Sequence, residues 1–251
     1  MGAPGSGKGT QSAILASQFG KVISTGAILR EESKKDTPSG FRLRQTIGAG
    51  ELVDDAIVCE AVATRIRGEV SREPRGRSAN PINVGCVGVD GPSVDILILD
   101  GFPRTVGQAR SLDELLADLG MPGPLVLHLD VPGDTLQRRL ASRRQCAKCG
   151  AVYNLASGPS TRGSRCQIDG GALVERDDDS EGVVKRRITT YGTETLPVVD
   201  YYRKGACGAG DYRRIDGNRS AAEIAKDIRD IVSFAGITLD ECLNECLEDA
   251  A

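Results

Sequence analysis

The first residues whose types and spacing could do chemistry stand at the start of this 251-residue sequence. Gly2, Gly7 and Lys8 form a Gly-x-x-x-x-Gly-Lys pattern that continues into Gly9-Thr10. Glycines allow a tight turn in which successive backbone N–H groups face one anion, and a lysine adds a positive charge there. The helix predicted to follow directs the positive end of its dipole at the same point. The pattern therefore predicts a phosphate-binding loop rather than a flexible Gly-rich terminus.

A carboxylate and a guanidinium form the second group, in segment 98–105, which reads Ile-Leu-Asp-Gly-Phe-Pro-Arg-Thr. This segment ends a continuous apolar run of the kind seen in buried parallel strands, and α/β folds place ligands at such strand ends. Asp100 can hold Mg²⁺ through water, and the planar fork of Arg104 can pair with a phosphate. The segment therefore favours a second part of a phosphate site over a simple Asp-Gly turn.

Three cysteines and an aspartate form the third group: Cys146 and Cys149, then, after sixteen intervening residues, Cys166 and Asp169. Two pairs of ligands, each at i and i+3, can close a tetrahedral zinc site, and three thiolates with one carboxylate suit zinc. Protein ligands would fill all four positions, so such a zinc would be structural. Three unrelated thiols, or a redox Cys-x-x-Cys, are the alternatives.

Helix and strand signals alternate along the chain and must position these groups. Strands are predicted at 21–24, 95–100, 125–130 and 212–215, and helices at 10–19, 25–35, 41–48, 54–67, 111–119, 134–144, 179–204 and 221–234. Acidic residues at Asp54-Asp55 suit the N-terminus of the helix that they open. The alternation predicts an α/β fold with a parallel sheet.

Composition narrows the class of protein. The chain is 39% hydrophobic and 27% charged, with a net charge of −3, which is typical of a globular domain and implies no general attraction to nucleic acid or anionic membranes. No apolar run approaches the ~20 residues of a membrane span, and no basic-then-apolar leader pattern opens the sequence. Eight cysteines are unevenly placed along a long chain, which favours metal binding over a disulfide framework.

Two stretches and the start of the chain depart from the alternating pattern. Residues 72–93 are rich in Gly, Pro, Ser and Arg and are predicted to form a surface insertion, and the tail after Gly236 carries Cys242 and Cys246 at helical spacing. A phosphate-binding loop is aimed by a buried strand that precedes it, and only Met1 precedes this one. We therefore expect the sequence as given to be incomplete and poorly stable.

Several motifs together resemble the adenylate kinase family, over about residues 1–230. The resemblance rests on the following segments, which occur in the family's order: 2–10; Ile23-Ser-Thr25-Gly-Ala-Ile-Leu-Arg30; Gly50-Glu51-Leu52-Val53; Gly101-Phe-Pro-Arg104 with Gln108; Asp130-Val-Pro132; Arg139-x-x-x-Arg143; Arg176-x-Asp178-Asp179; and Arg187. Several independent motifs in one order are far more specific than a phosphate loop alone.

The resemblance implies a role for each matched position. ATP phosphates would be held by Gly5, Ser6, Gly7, Lys8, Gly9 and Thr10, and AMP by Thr25, Arg30, Gly101, Arg104 and Gln108 with the backbone around Glu51, Leu52 and Val53. Arg139 would lie on the ATP adenine, with Val152, Tyr153 and Arg219 as further nucleotide contacts. The catalytic charges would be Lys8, Asp100, Arg104, Arg143, Arg176 and Arg187. Positioning and charge stabilisation of this kind are what phosphoryl transfer requires.

The implied architecture is the three-layer fold of P-loop nucleoside monophosphate kinases, a parallel sheet with helices on both faces. Residues 1–23, 54–141 and 180–251 would form the core, 24–53 an AMP-binding segment, and 142–179 a lid of the long, zinc-binding type. The implied reaction is Mg²⁺-dependent transfer from ATP to AMP, giving two ADP. ATP, AMP and ADP would be the partners of a cytoplasmic monomer that binds neither nucleic acid nor membrane; an organellar location applies if an N-terminal segment precedes Met1.

Two alternatives stay open, and one of them rests on a departure from the family pattern. Ala27 stands where the family usually has an aspartate that supports the Mg²⁺ and lysine network. A weakly active nucleotide-binding paralogue is therefore one alternative, and a UMP/CMP-type kinase is the other, although Thr25 and Gln108 favour adenine by resemblance. His128 lies inside a predicted strand and is expected to be a core residue without a catalytic role.

Overall fold

The computed structural model describes residues 1–71, 96–155, 165–176, 179–205 and 211–233. The predicted insertion at 72–93 and the tail after Gly236 lie outside these residues. No helix in the described part of the chain is long and apolar enough to cross a membrane.

Helices and strands alternate as predicted. The helices are α1 (Lys8–Phe19), α2 (Thr25–Ser33), α3 (Pro38–Ala49), α4 (Asp55–Val70), α5 (Val106–Asp118), α6 (Gly133–Ala141), α7 (Glu181–Thr190), α8 (Leu196–Arg203) and α9 (221–233). A π-helical stretch, Tyr191–Thr195, joins α7 to α8. The strands are β1 (Gly20–Ser24), β2 (Ile96–Asp100), β3 (Val126–Asp130), β4 (Arg143–Cys146), β5 (Val152–Asn154), β6 (Leu173–Val174) and β7 (Tyr212–Asp216).

Side-chain caps fix where several helices begin. Thr37 Oγ1 accepts a hydrogen bond from Gly40 N at 3.0 Å, and Pro38 occupies the first turn, so α3 begins three residues before the predicted start at Phe41. Thr105 Oγ1 accepts from Gln108 N at 3.1 Å, so α5 begins at Val106 and not at Ser111. In both cases a Thr cap starts the helix before its apolar pattern begins.

The prediction of a helix to Arg144 is wrong, because the chain changes to β-structure after Ala141. Residues of β4 pair with β5, Arg143 opposite Asn154, and with β6, Cys146 opposite Leu173. The resulting antiparallel sheet has the strand order β5-β4-β6. Ladder pairing with distant residues therefore overrides the helical pattern of the local sequence.

Two pairs of parallel strands carry the functional strand ends. β1 pairs with β2 and places Ser24 opposite Asp100; β3 pairs with β7 and places Asp130 opposite Asp216. The two pairs are not hydrogen-bonded to each other in the described part of the chain. The backbone of Met1 lies against β3, where its oxygen accepts from Leu129 N at 2.9 Å and its amine donates to Leu127 O.

The β2 strand is less buried than predicted. Every residue of Ile96–Asp100 is only partly buried, although four of the five are aliphatic. The reason is that, among the described strands, β2 pairs with β1 alone, which leaves its other edge unpaired. The aliphatic core lies on either side of this strand: one cluster includes Val62, Ile66 and Leu112, and the other includes Leu129 and Ile228.

Candidate active site

The phosphate loop forms a turn closed by its own backbone. Ser6 N donates to Ala3 O at 3.1 Å, and Gly5 and Gly7 have φ values of 82° and 98°, which favour glycine. A β-carbon built on Gly5 would lie 2.9 Å from Leu140 Cγ, whereas one built on Gly7 would meet nothing within 4 Å. The loop thus packs on α6 at Gly5 and is open at Gly7, immediately before α1.

Charged groups converge on Lys8 in this loop. Its Nζ donates to Gly2 O at 2.6 Å and to Ala3 O at 2.8 Å. Burial lowers the pKa of Lys8 to about 7; the charge of Asp100 opposes this shift, and the charges of Arg104, Arg187 and Arg143 add to it. The structure therefore places four other predicted catalytic residues within electrostatic reach of Lys8.

Asp100 and Arg104 are positioned by the end of β2. A β-carbon built on Gly9 would lie 3.6 Å from Asp100 Oδ2, so this carboxylate lies beside the first turn of α1. Gly101 has a φ of 82°, which turns the chain so that its oxygen accepts from Arg104 Nε at 2.9 Å. The peptide bond between Phe102 and Pro103 is cis.

A buried carboxylate, Asp179, bonds to two of the predicted catalytic arginines. Asp179, with a side chain only 1% exposed, accepts from Arg143 Nε at 2.7 Å and from Arg187 Nη1 at 3.4 Å, and a second bond joins it to Arg143 Nη2. Two guanidinium groups on one carboxylate leave a net positive charge, which suits an anionic ligand. Arg176 precedes this group, and its oxygen accepts from Asp179 N at 3.0 Å.

The predicted AMP segment contains a buried hydroxyl without a partner. Thr25 is 3% exposed, and its Oγ1 makes no hydrogen bond to the described residues. Ser6 Oγ in the phosphate loop and Gln11 Oε1 at the start of α1 are in the same condition. Buried polar atoms are nearly always paired in native proteins, so these atoms mark places where a ligand can bond.

The remaining predicted AMP contacts lie on α2, on α3 and in the turn that follows α3. The guanidinium of Arg30 lies over Gly26, where a β-carbon would be 3.1 Å from its Nη1. Gly50 ends α3 in the left-handed conformation, and a β-carbon there would lie 2.9 Å from Val183 Cγ1 on α7. In the turn after Gly50, Glu51 is exposed, Leu52 is partly buried and Val53 is buried.

Gln108 is buried, and each end of its amide makes one hydrogen bond. It is 2% exposed; its Oε1 accepts from Arg104 N at 2.8 Å, and its Nε2 donates to Asp55 Oδ1 at 2.7 Å. Asp55 is a residue that sequence reasoning assigned only to a helix N-terminus. Nothing local reveals its contact with Gln108, because the two stand 53 positions apart.

Four predicted nucleotide contacts lie outside this charged group. Arg139 is on α6, where burial lowers its pKa, with the charge of Arg138 as a smaller cause. Val152 is 52% exposed on β5, and the neighbouring Tyr153 directs its hydroxyl to Cys166 Sγ at 3.2 Å. Arg219 bonds to Asp216 O at 3.3 Å and to Asp227.

The predicted metal ligands come together in the segment predicted to form a lid. Ligand atoms of Cys146, Cys149, Cys166 and Asp169 all lie within 4.8 Å of one another. The Sγ atoms of Cys149 and Cys166 are 3.5 Å apart, and Cys146 Sγ is 3.3 Å from Asp169 Oδ1. A tetrahedral zinc with bonds of about 2.3 Å requires thiolates about 3.8 Å apart, so the donor set fits this metal in both type and spacing.

Two further residues that the sequence singled out are His128 and Ala27. His128 is 7% exposed, and its ring nitrogens lie 3.0 Å from the hydroxyls of Tyr212 and Tyr191, as expected for a satisfied core histidine. Burial lowers the pKa of His128. Ala27 is exposed in the first turn of α2.

A phosphate loop at a helix N-terminus, an aspartate at the end of a parallel strand and converging arginines define an α/β protein of the P-loop nucleotide-binding class.

The profile of the adenylate kinase family matches residues 1–74 and 92–207. The adenylate kinase of Thermodesulfovibrio yellowstonii is 38% identical over 229 residues, 91% of this chain and 94% of that protein. That of Carboxydothermus hydrogenoformans is 37% identical over 230 residues, 91% of this chain and 95% of that protein. That of Archaeoglobus fulgidus is 35% identical over 233 residues, which cover 92% of this chain and 95% of that protein. This chain belongs to the adenylate kinase family.

Proposed function

We propose that this chain catalyses ATP + AMP ⇌ 2 ADP with Mg²⁺. Membership of the adenylate kinase family makes it a phosphotransferase. The observation that carries the proposal is the group of charges around Lys8: one carboxylate, Asp100, with the guanidinium groups of Arg104, Arg143 and Arg187. Phosphoryl transfer needs this combination, because its transition state spreads negative charge over the oxygens of the transferred group.

Each part of the site has a distinct task in this proposal. Residues Gly5–Thr10 hold the ATP phosphates through backbone N–H groups, and Lys8 exchanges its two carbonyl partners for phosphate oxygens. Asp100 supplies a hard oxygen donor suited to a hydrated Mg²⁺, which would neutralise phosphate charge when bound. Arg143, Arg176 and Arg187 stabilise charge from the lid side.

In this proposal a separate group of residues binds the acceptor nucleotide. Thr25 has a buried hydroxyl without a partner, Arg30 and Arg104 supply positive charge for the AMP phosphate, and Gln108 meets the base. The turn at 51–53 borders the base or ribose. The proposed division into a core, an AMP-binding segment at 24–53 and a lid at 142–179 would let both smaller parts close and exclude water, which would otherwise accept the phosphoryl group.

Coupled measurement of ADP formation tests the proposal. Purified protein is mixed with ATP and Mg²⁺ and then with AMP, UMP or CMP as acceptor. AMP is the preferred acceptor under the proposed function. A preference for UMP or CMP would indicate the pyrimidine-type kinase, and absence of turnover with any acceptor would indicate a nucleotide-binding paralogue. A monomeric state and a cytoplasmic location remain predictions.

We further propose that the lid cluster holds a structural zinc. Cys146 and Cys166 are 2% and 4% exposed, although none of the hydrophobic clusters in the described part of the chain includes a residue of β4, β5 or β6. Gly171 N donates to Asp169 Oδ1 at 2.8 Å, and this bond is the main reason that the pKa of Asp169 lies well below its usual range. The carboxylate is therefore ionised and ready to bind a cation at neutral pH.

Zinc analysis of two serine variants tests this assignment. The parent is expected to contain about one zinc per chain, and Cys166→Ser to lose most of it, because the site has only four protein ligands. Cys59→Ser is the matched control, since Cys59 lies on α4, outside the cluster, and should keep its zinc. Metal analysis that finds no zinc in freshly purified, reduced parent protein would show the assignment to be wrong.

The pKa of Lys8 predicts how ATP affinity depends on pH. In the free protein this pKa is about 7, so above that value Lys8 is largely neutral. Bound phosphates favour the ammonium form and raise the pKa, so ATP binding takes up a proton between pH 7 and the higher pKa of the complex. The dissociation constant should therefore rise by up to about tenfold per pH unit above 7.

Calorimetry in two buffers of different ionisation enthalpy at pH 8.5 measures this proton uptake directly. Lys8→Arg is the control, because a guanidinium keeps its proton throughout this range and should remove the uptake. An ATP affinity in the parent that stays constant between pH 7 and 9 would contradict the prediction.

A further inference from the structure

Asp55 joins the first turns of two helices beside the proposed base site. It is the first residue of α4, and its Oδ1 accepts from Gln108 Nε2 at 2.7 Å while its Oδ2 accepts from Thr105 Oγ1 at 2.5 Å. Thr105 is itself the N-cap of α5. A β-carbon built on Gly107 would lie 3.1 Å from Asp55 Oδ2, so the absence of a side chain there leaves room for the carboxylate.

These contacts fix the orientation of the Gln108 amide. An ionised carboxylate only accepts hydrogen bonds, so Asp55 requires the NH₂ end of the amide to face it. The backbone N–H of Arg104 only donates, so it requires the oxygen end. A rotation of the amide by 180° would leave both bonds mismatched, and at 2% exposure Gln108 has no access to water that could compensate.

With its amide held in one orientation, Gln108 presents a nucleotide base with one fixed arrangement of hydrogen-bond donor and acceptor. After its bonds to Asp55 and Arg104, Gln108 retains one N–H hydrogen and one oxygen lone pair, at known ends of the group. Adenine presents its 6-amino donor beside a ring-nitrogen acceptor, whereas a 6-oxopurine presents an acceptor where the amino group stood. An amide free to turn could pair with either base, and a fixed one pairs with only one of them.

We propose that Asp55 is a positioning residue that holds Gln108 in one amide orientation and thereby makes the site select 6-aminopurine monophosphates over 6-oxopurine monophosphates. The proposal rests on the proposed function, in which Gln108 meets the base of the acceptor nucleotide. Asp55 itself does not touch the nucleotide in this account. Its effect therefore falls on the choice of base more than on transfer of the phosphoryl group.

Comparison of AMP with inosine monophosphate tests the proposal, because the two differ only at purine position 6 and its neighbouring N1. Dissociation constants for both nucleotides are measured by calorimetry on the full chain, together with kcat/KM for each in the ADP assay. In Asp55→Asn the side chain can both donate and accept, so the preference for AMP over inosine monophosphate should fall about tenfold, as expected for loss of one charge-assisted hydrogen bond.

Asp54→Asn is the matched control, since it removes the same charge one residue away. Asp54 is exposed, and its Oδ1 caps α4 through Ala56 N at 2.9 Å, a role that asparagine fills equally well. The preference of the Asp54→Asn variant for AMP over inosine monophosphate should stay within about twofold of that of the parent. Gly107→Ala crowds the Asp55 carboxylate without changing its charge, and should lower the same preference even if Asp55→Asn folds poorly.

The outcomes separate this proposal from the proposed function. An unchanged AMP preference in Asp55→Asn or, where that variant does not fold, in Gly107→Ala overturns the positioning role, as does a parent without any preference for AMP. A purely structural role for Asp55 would lower the melting temperature and leave the ratio of the two dissociation constants unchanged. If the parent binds AMP selectively and forms no ADP, the proposed function fails, and loss of selectivity in Asp55→Asn would still support the positioning role.

Discussion

Replacement of Arg104 by alanine is expected to lower kcat/KM for AMP by a factor of about 10²–10³, the usual effect of removing one donor aimed at developing charge. Arg104 is held by its Nε bond to Gly101 O at 2.9 Å, and its charge acts on Lys8 in the phosphate loop. Its charge therefore reaches the proposed ATP phosphate site as well as the proposed AMP site. The loss should appear mainly in kcat, because charge on the transferred group is greatest in the transition state.

Two further variants make this result specific. Arg110→Ala removes an exposed arginine from α5, the helix that follows Arg104, and should leave kcat/KM unchanged. Arg104→Lys keeps the positive charge and removes the planar fork, so it should recover only part of the activity if bidentate geometry matters. Steady-state rates with AMP varied at saturating ATP measure all three. A value for Arg104→Ala within about threefold of the parent would show that the assigned role is wrong.

The sequence predicted the elements whose signals are local and missed those fixed by distant contacts. The strand β3 and the helix α1 follow from a short apolar run and from the loop before a helix, and both appear within two residues of the predicted bounds. The predicted end of α6 was wrong, because β4 forms only by pairing with β5 and β6. Such pairing is invisible to periodicity along the chain.

The candidate site shows the same division. Lys8, Asp100 and Arg104 stand in motifs whose spacing alone indicates phosphate chemistry, and the structure brings their charges together. Asp55 carries no such signal, because an acidic residue at a helix start is ordinary. Its contact with Gln108 depends on how α4 and α5 pack, a tertiary fact that local patterns do not contain.

The gap between the two pairs of parallel strands leads to the prediction with the largest effect on stability. In the described part of the chain β2 and β3 each have one partner strand, and the backbone of Met1 already bonds to β3. We expect four aliphatic residues added ahead of Met1, such as Ile-Val-Leu-Leu, to continue this pairing along β3 and to pair with the open edge of β2. Each fully buried side chain contributes about 1.5–3 kcal/mol, so four contribute about 6–12 kcal/mol.

The added segment should raise the melting temperature strongly. At this chain size 1 kcal/mol corresponds to about 2–4 °C, so even the lower figure predicts an increase of about 12–24 °C. Pairing of the open edges of β2 and β3 satisfies further backbone groups. A paired strand directly before the phosphate loop would also fix the position of that loop. The rate of ADP formation should therefore rise together with the melting temperature.

The buried amine of Met1 provides a second measurement. Burial, with the nearby charge of Lys8 as a smaller cause, lowers the pKa of this amine from 8.0 to about 5. Between these values the unfolded chain binds a proton that the folded chain does not, so the free energy of unfolding should rise as the pH increases from 5 to 8. Any extension converts the amine to a peptide N–H and should remove this contribution.

An extension of the same length with the sequence Gly-Ser-Gly-Ser is therefore the matched control. It removes the buried amine and adds no apolar side chain, so it should abolish the contribution of the amine to the pH dependence without the large increase in melting temperature. Thermal unfolding followed by circular dichroism at pH 5.5 and 8, with ADP formation measured in parallel, compares the three chains.

Equal melting temperatures for the aliphatic and Gly-Ser extensions would mean that the space between β2 and β3 does not accept a strand. Cooperative melting of the 251-residue chain above about 50 °C, within the usual range for mesophile domains, would mean that its two sheet halves are already stable as they stand.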